Sequence, residues 1–330
     1  MARRKYTRKN NNPRKKRVAC KLPPYEVEEI LTLEEARQNV GWNVTAFNLP
    51  AAWQVTQGEG VTVGVLDTGC DLDHPDLVQN LVPGYNFVDP GKPPEDDNQH
   101  GTHVAGIIAA LNNDIGMVGV APMSKIMPLK VLNAKGGGTL DLVADGIIYG
   151  VDHGADILCM SLGSPRPLAK IRRAIQYAES KGVPVFVAAG NAAKGNNYTK
   201  ELFYPANYPE TIAIGSIDET LNRSDFSNTG EELDFMAPGG KIFSTVPDNW
   251  YAFLSGTSMA GPFAVGVAAL CLSYQRKHFP DKPLRGKDAY MNLFRKNTMS
   301  LPDPSKTGKF FQGFGIIDTR DFQKWIASVN

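Results

Sequence analysis

The chain has 330 residues, 42% hydrophobic and 21% charged, figures ordinary for a soluble protein with one large α/β domain or two small ones. The net charge of +1 is unevenly spread: residues 1–21 carry ten Lys/Arg and no acid, leaving 25 basic against 34 acidic side chains, a balance of −9, for the remainder. No apolar run follows the basic residues and none approaches the length of a membrane span, so neither a secretory signal nor a membrane partner is expected, and the expected setting is cytoplasmic.

In chain order, MARRKYTRKNNNPRKKR (1–17) reads as a disordered basic arm, most simply a solvated terminus, with contact to nucleic acid or another acidic surface as the alternative. KLPPYEVE (21–28) follows. Its consecutive prolines cannot join a helix or donate backbone hydrogen bonds, so this stretch is expected to be extended and partly outside any sheet. Taken alone it reads as a linker. From residue 60 onward strand-like and helix-like segments alternate. GVTVGVLD (60–67), KIMPLKVL (125–132), ADILCMSLG (155–163), VPVFVAAGN (183–191) and TIAIGSID (211–218) suit buried strands. GTHVAGIIAAL (101–111), DLVADGIIYGVDHG (141–154), LAKIRRAIQYAESKG (168–182) and MAGPFAVGVAALCLSYQRK (259–277) suit helices, two of them closed by glycine.

This repetition predicts a three-layer α/β/α fold with a mostly parallel central sheet, in which ligands gather at the carboxyl ends of strands. Asp67, the 161–164 turn and Asn191 stand at such ends. No linker divides residues 38–330, so one domain is expected there, behind an extension of residues 1–37. Cys20, Cys70, Cys159 and Cys271 lie far apart without metal-ligand spacing; the last three read as buried free thiols.

Three stretches hold the reactive side chains: VLDTGCDLDHPDL (65–77), NQHGTHVAGIIAALNNDIGMVGVAP (98–122) and LSGTSMAGPFAVG (254–266). Singly, Asp67 is a turn residue, His100 a structural histidine and Ser258 a helix cap. Together they supply an acid, a base and a nucleophile. Serine needs a base to take its proton, imidazole is that base, and a carboxylate fixes the imidazole tautomer. Ser258 lies in a Gly-Thr-Ser-Met turn at a helix start, where its hydroxyl can be exposed. The order Asp, His, Ser along the chain is the subtilisin order, distinct from those of chymotrypsin and the α/β-hydrolases.

With all three boxes in order, the sequence resembles the subtilisin-family (subtilase) serine proteases from about Gln38 to the C-terminus. The resemblance implies Asp67 as orienting acid, His100 as general base, Ser258 as nucleophile and His103 as a packing residue. AAGN (188–191) is similar to the family segment bearing the oxyanion asparagine, which makes Asn191 a donor beside the Ser258 N–H. Polypeptide substrates are implied, held as added strands between Gly136, Gly137 and Gly138 on one side and Ser161, Leu162, Gly163 and Ser164 on the other. Ala188, Ala189 and Gly190 would frame the S1 pocket with the 161–164 segment, and Leu140, Val143 and Leu162 an apolar S4 pocket. Broad specificity with an apolar or aromatic preference is implied. Ser164, Lys135, Gly261 and Phe263 depart from the family pattern, and no acid follows Asn191, but none of these is a triad position.

LNNDIGM (111–117) resembles the calcium loop of secreted subtilisins, which implies Ca2+ held by Gln38, Asp76, Asn113 and the carbonyls of Leu111, Ile115 and Met117. Leu22-Pro23-Pro24-Tyr25 is similar to the Leu-Ile-Pro-Tyr type motif of intracellular subtilisins. That resemblance implies a zymogen: residues 18–30 lie across the active site as an inhibitory pseudo-substrate, and maturation removes the extension somewhere between residues 18 and 37. Intracellular members are often dimers, so a homodimer is a further expectation. The competing readings are a non-catalytic protease-like scaffold and an enzyme tethered to nucleic acid by its basic arm.

Overall fold

The computed structural model describes residues 17–32, 38, 40–194, 202–282 and 284–329. The basic arm, Arg17 excepted, lies outside the described residues, as do residues 33–37 of the extension. The extension supplies two strands, β1 (Ala19–Lys21) and β2 (Glu26–Leu31). Then come β3 (Thr62–Asp67), β4 (Tyr85–Asn86), β5 (Lys125–Lys130), β6 (Gly137–Thr139) and β7 (Ile157–Met160). After them follow β8 (Val185–Ala188), β9 (Ile212–Ile217), β10 (Phe235–Pro238), β11 (Ile242–Val246), β12 (Trp250–Ser255), β13 (Thr298–Met299) and β14 (Ile316–Ile317).

Nine strands form the central sheet in the order β13-β14-β10-β9-β8-β7-β3-β5-β4. All neighbours in it are parallel except β13 against β14. Every residue of β7, β8 and β9 is buried, as a strand covered on both faces requires, and this is why these segments read as unbroken apolar runs. Two short helices, α1 (Trp42–Thr45) and α2 (Leu49–Trp53), precede the sheet. One helical layer contains α3 (His100–Ala109); the other is formed by α4 (Leu140–Asp152) and α5 (Ala169–Ser180). The long α6 (Thr257–His278) packs on α3 and on β7 to β10, and α7 (Gly286–Arg295), α8 (Lys309–Gln312) and α9 (Phe322–Val329) complete the chain. The architecture is the expected three-layer α/β/α fold.

One feature differs from the sequence reading. The 22-residue α6 is long and apolar enough to cross a membrane, contrary to expectation; it is buried through almost its whole length and serves as the central core helix. KLPPYEVE is no free linker. β1 completes a two-stranded sheet with β6, β2 completes a three-stranded sheet β11-β12-β2, and Leu22–Tyr25 crosses between them outside any strand. Cys20 and Leu22 join the same apolar core as the domain, so the extension is packed into the molecule. All four cysteines are buried and free.

One glycine sets the position of α3. A Cβ on Gly101 would lie 2.1 Å from the Gly69 carbonyl oxygen, so only glycine lets the start of α3 press on the turn after β3. That contact brings the ends of β3 and α3 together.

Candidate active site

Asp67 closes β3 and is buried. Its Oδ1 accepts from the Thr68 N–H at 2.7 Å and from His100 Nδ1 at 2.8 Å. Because the carboxylate oxygen only accepts, Nδ1 carries the hydrogen, and the neutral ring is left with a bare, basic Nε2. His100 opens α3, and its place is set by a buried carboxylate that the sequence reading missed. Asp96 accepts from the Thr68 hydroxyl at 2.8 Å, from the Thr102 N–H and hydroxyl at 2.9 and 2.6 Å, and from the Gln99 N–H at 3.1 Å. The Gly101 N–H donates in turn to Thr68 Oγ1 at 2.9 Å. An acid just ahead of a helix start is a capping signal, and it was the one sequence clue to this role. His103 is buried against β11 and β12, its Nε2 lying 3.1 Å from the carbonyls of both Ile242 and Ala252.

Ser258 sits in the first turn of α6, among backbone N–H groups that have no partner within the helix. Its side chain is fully buried. Ser258 Oγ and His100 Nε2 make no hydrogen bond to any described residue. The cover is the extension. Asn191, just beyond β8, donates from Nδ2 to the Pro24 carbonyl at 2.6 Å. The Tyr25 ring lies against His100 with centroids 5.0 Å apart, and its hydroxyl reaches Asn98 Oδ1 at 3.4 Å.

The orientation of Asn191 is fixed by Thr257, another residue the sequence reading missed. Asn191 Oδ1 accepts from the Thr257 N–H at 2.9 Å and from its hydroxyl at 2.7 Å, while Thr257 Oγ1 accepts from the Gly190 N–H at 3.0 Å. With its oxygen so occupied, the side chain can only present its NH2 to the Pro24 carbonyl. Ala188, Ala189 and Gly190 lead into this position and are buried.

Both glycine edges hold a strand, and the occupant is the chain itself. β1 runs antiparallel to β6 with Ala19 opposite Thr139, Cys20 opposite Gly138 and Lys21 opposite Gly137. The Leu22 N–H donates to the Gly136 carbonyl at 3.0 Å, and Lys21 exchanges two backbone hydrogen bonds with Gly163 at 3.1 and 3.0 Å. Gly136 has φ +66°, and a Cβ there would meet the Leu22 side chain at 2.8 Å. Leu140, Val143 and Leu162 are buried in the cluster that receives Cys20, whose thiol burial pushes up to about 12. The Ser161 hydroxyl donates to the Ser258 carbonyl at 3.0 Å, and Ser164 pairs with Tyr204 rather than with the extension.

The residues expected to hold calcium are partly assembled. Asp76 Oδ2 accepts from the Met117 N–H and the Tyr251 hydroxyl, each at 3.1 Å, while its buried Oδ1 has no partner among the described residues. Burial raises this carboxyl to about 6. The Leu111 N–H donates to the Asp76 carbonyl at 2.9 Å and the Ile115 N–H to Asn113 Oδ1 at 3.2 Å. Gln38 stands beside the loop, its Nε2 donating to Asn112 Oδ1 at 3.3 Å. Among the described residues no group of three or more His, Cys, Asp or Glu could hold a metal, so a cation here would rest on one carboxylate with amide and carbonyl oxygens, a donor set that suits a hard cation.

Residues 58–315 match the model of the subtilase family. The chain is 42% identical over 298 residues to an intracellular serine protease of Paenibacillus polymyxa, covering 89% of each. It is 40% identical over 294 residues to the major intracellular serine protease of Bacillus subtilis (strain 168), covering 87% of this chain and 90% of that one. Thermitase of Thermoactinomyces vulgaris is 44% identical over 228 residues, 69% of this chain and 80% of its own. With a family match across most of the chain and relatives this similar along nearly their whole lengths, this chain belongs to the subtilase family and is a subtilisin-like serine protease, a hydrolase of polypeptides.

Proposed function

We propose that the chain is a serine endopeptidase made as a zymogen, with Ser258 as nucleophile, His100 as general base, Asp67 as orienting acid and Asn191 as oxyanion donor. The observation that carries this reading is the Pro24 carbonyl on the Asn191 amide at 2.6 Å, with Tyr25 against His100, because it puts a peptide carbonyl where an acyl carbonyl would react. Ser258 Oγ attacks the substrate carbonyl while His100 Nε2 takes the hydroxyl proton, and Asp67 stabilises the imidazolium through Nδ1–H. The oxyanion is held by the Asn191 amide and the Ser258 N–H. The intermediate expels the amine with the proton from His100, and water then releases the acyl group by the same steps in reverse order of roles. Apolar walls around Leu140, Val143 and Leu162 support an apolar or aromatic preference of broad range.

Residues 18–30 block the enzyme in this reading. Pro23 and Pro24 have no N–H to give to the groove, and the Tyr25 ring packs against the His100 imidazole. Ca2+ bound by Asp76, with Asn113, Gln38 and the carbonyls of Leu111, Ile115 and Met117, would stabilise the loop without entering the reaction. A cytoplasmic setting is supported by the names of the relatives from Paenibacillus polymyxa and Bacillus subtilis. One experiment tests the function: casein digestion by the full chain is followed together with the mass of its N-terminus, beside Ser258→Ala. Activity is expected to rise as the extension is lost, and the alanine variant is expected to stay inert. Undiminished proteolysis by the variant would overturn the nucleophile, and equal activity before and after loss of the extension would overturn the zymogen.

A further inference from the structure

The Pro24 carbonyl on Asn191 fixes a direction as well as a position. Whatever follows Pro24 traces the route by which a substrate leaves the catalytic centre on the amine side of the bond. Tyr25 passes the His100 ring, and the chain then becomes β2, antiparallel to β12. Glu26 lies opposite Ser255, Val27 opposite Leu254, Glu29 opposite Phe253, Ile30 opposite Ala252 and Leu31 opposite Tyr251. Glu28 is the extra residue of a bulge, and its carboxylate accepts from the Ser255 hydroxyl at 2.6 Å. Ser255 is joined to Ser258 through Gly256 and Thr257 alone, so this edge begins beside the nucleophile.

We propose that the edge of β12 is a substrate track, taking about seven residues downstream of the cleaved bond as an added strand, with an apolar subsite for the seventh; this rests on the reading of Ser258 as nucleophile. The opposite edge of β12 is held by β11, so the edge that β2 covers is the one free to take a substrate when the extension is gone. The side chains explain what such a track would select. Along β2 nearly all residues are exposed, Val27 at 42% and Ile30 at 46%, so downstream positions two to six, Glu26 to Ile30, contribute backbone pairing and little side-chain recognition. Leu31 is the exception. It is half-buried and packs with Phe253 on the cluster of Ala110, Met117, Phe243 and Tyr251. A track of this kind accepts many sequences but demands an extended chain, which selects unfolded polypeptides over short peptides and folded surfaces.

The test uses the enzyme matured from the full chain and a series of quenched fluorescent peptides. All share one upstream sequence and carry two, four or seven residues after the cleaved bond, the longest ending in Leu or in Asp. The proposal expects kcat/KM to rise at least about tenfold from two to seven residues, as several net backbone hydrogen bonds would give. It also expects Leu at the seventh position to be favoured several-fold over Asp, and a proline in the paired stretch to remove the gain. A flat response beyond two residues, or indifference to proline and to the seventh residue, would overturn the track while leaving the protease intact. No cleavage of any peptide by the matured enzyme would overturn the Ser258 reading and this inference with it.

Discussion

Asn191 is set as a donor before any substrate arrives. Thr257 fills its Oδ1 with two hydrogen bonds, so in the proposed reaction the amide has one orientation available and would lose no freedom at the moment of reaction. Replacing Asn191 with Ala is expected to lower kcat by about 10²–10³ with little change in KM, a magnitude known from a subtilisin, and steady-state kinetics on one peptide checks it. His103 makes a different prediction. Carbonyl oxygens only accept, so its Nε2 carries the hydrogen, and Nδ1 is buried without a partner among the described residues. Burial lowers its pKa from 6.5 to about 3. Below pH 6.5 the unfolded chain gains a proton that the native ring refuses, so stability is full above pH 6.5 and falls as pH drops towards 3. By pH 5 this ring alone costs about 2 kcal/mol, and urea midpoints at pH 7 and 5 should fall less for His103→Gln than for the native chain. At this scale the sequence offered Asp67, His100, Ser258 and Asn191 as candidates, because an acid, a base, a nucleophile and an amide are told apart by residue type alone. It did not disclose Thr257 or Asp96 as the residues that hold them, because holding is a matter of distance and many side chains could do it.

Five strands of the sheet, β3, β5, β7, β8 and β9, were legible to within a few residues, since burial on both faces imposes an apolar run that composition alone displays, whereas β4, β10, β13 and β14 were not read. β1 and β2 were not. Neither Ala19–Lys21 nor Glu26–Leu31 has an apolar pattern, and each is a strand only because an edge elsewhere in the fold accepts it. The loop from Leu111 to Met117 shows the converse. Its likeness to a calcium loop was plain in the sequence, yet its attachment to β12 through Tyr251 and Asp76 was not. If Ca2+ binds there, chelation is expected to lower the unfolding temperature, by an amount equivalent to about 2.7 kcal/mol when free calcium had stood at 100 times Kd. Calorimetry with calcium and with chelator measures this, and Asp76→Asn should erase the difference between the two.

The main apolar core runs from the sheet into the extension, taking in Cys20 and Leu22. The chain with its extension in place is therefore one folded unit. Its two docking strands lie on either side of the catalytic centre, β1 against β6 and β2 against β12. Severing the backbone beyond Leu31 breaks neither pairing. It removes the tether, so that a segment once held at an effective concentration in the millimolar range must rebind from bulk solution. Onset of activity then depends on dilution and on how soon the freed peptide is itself destroyed, so concentrated enzyme should wake more slowly after cutting than dilute enzyme does.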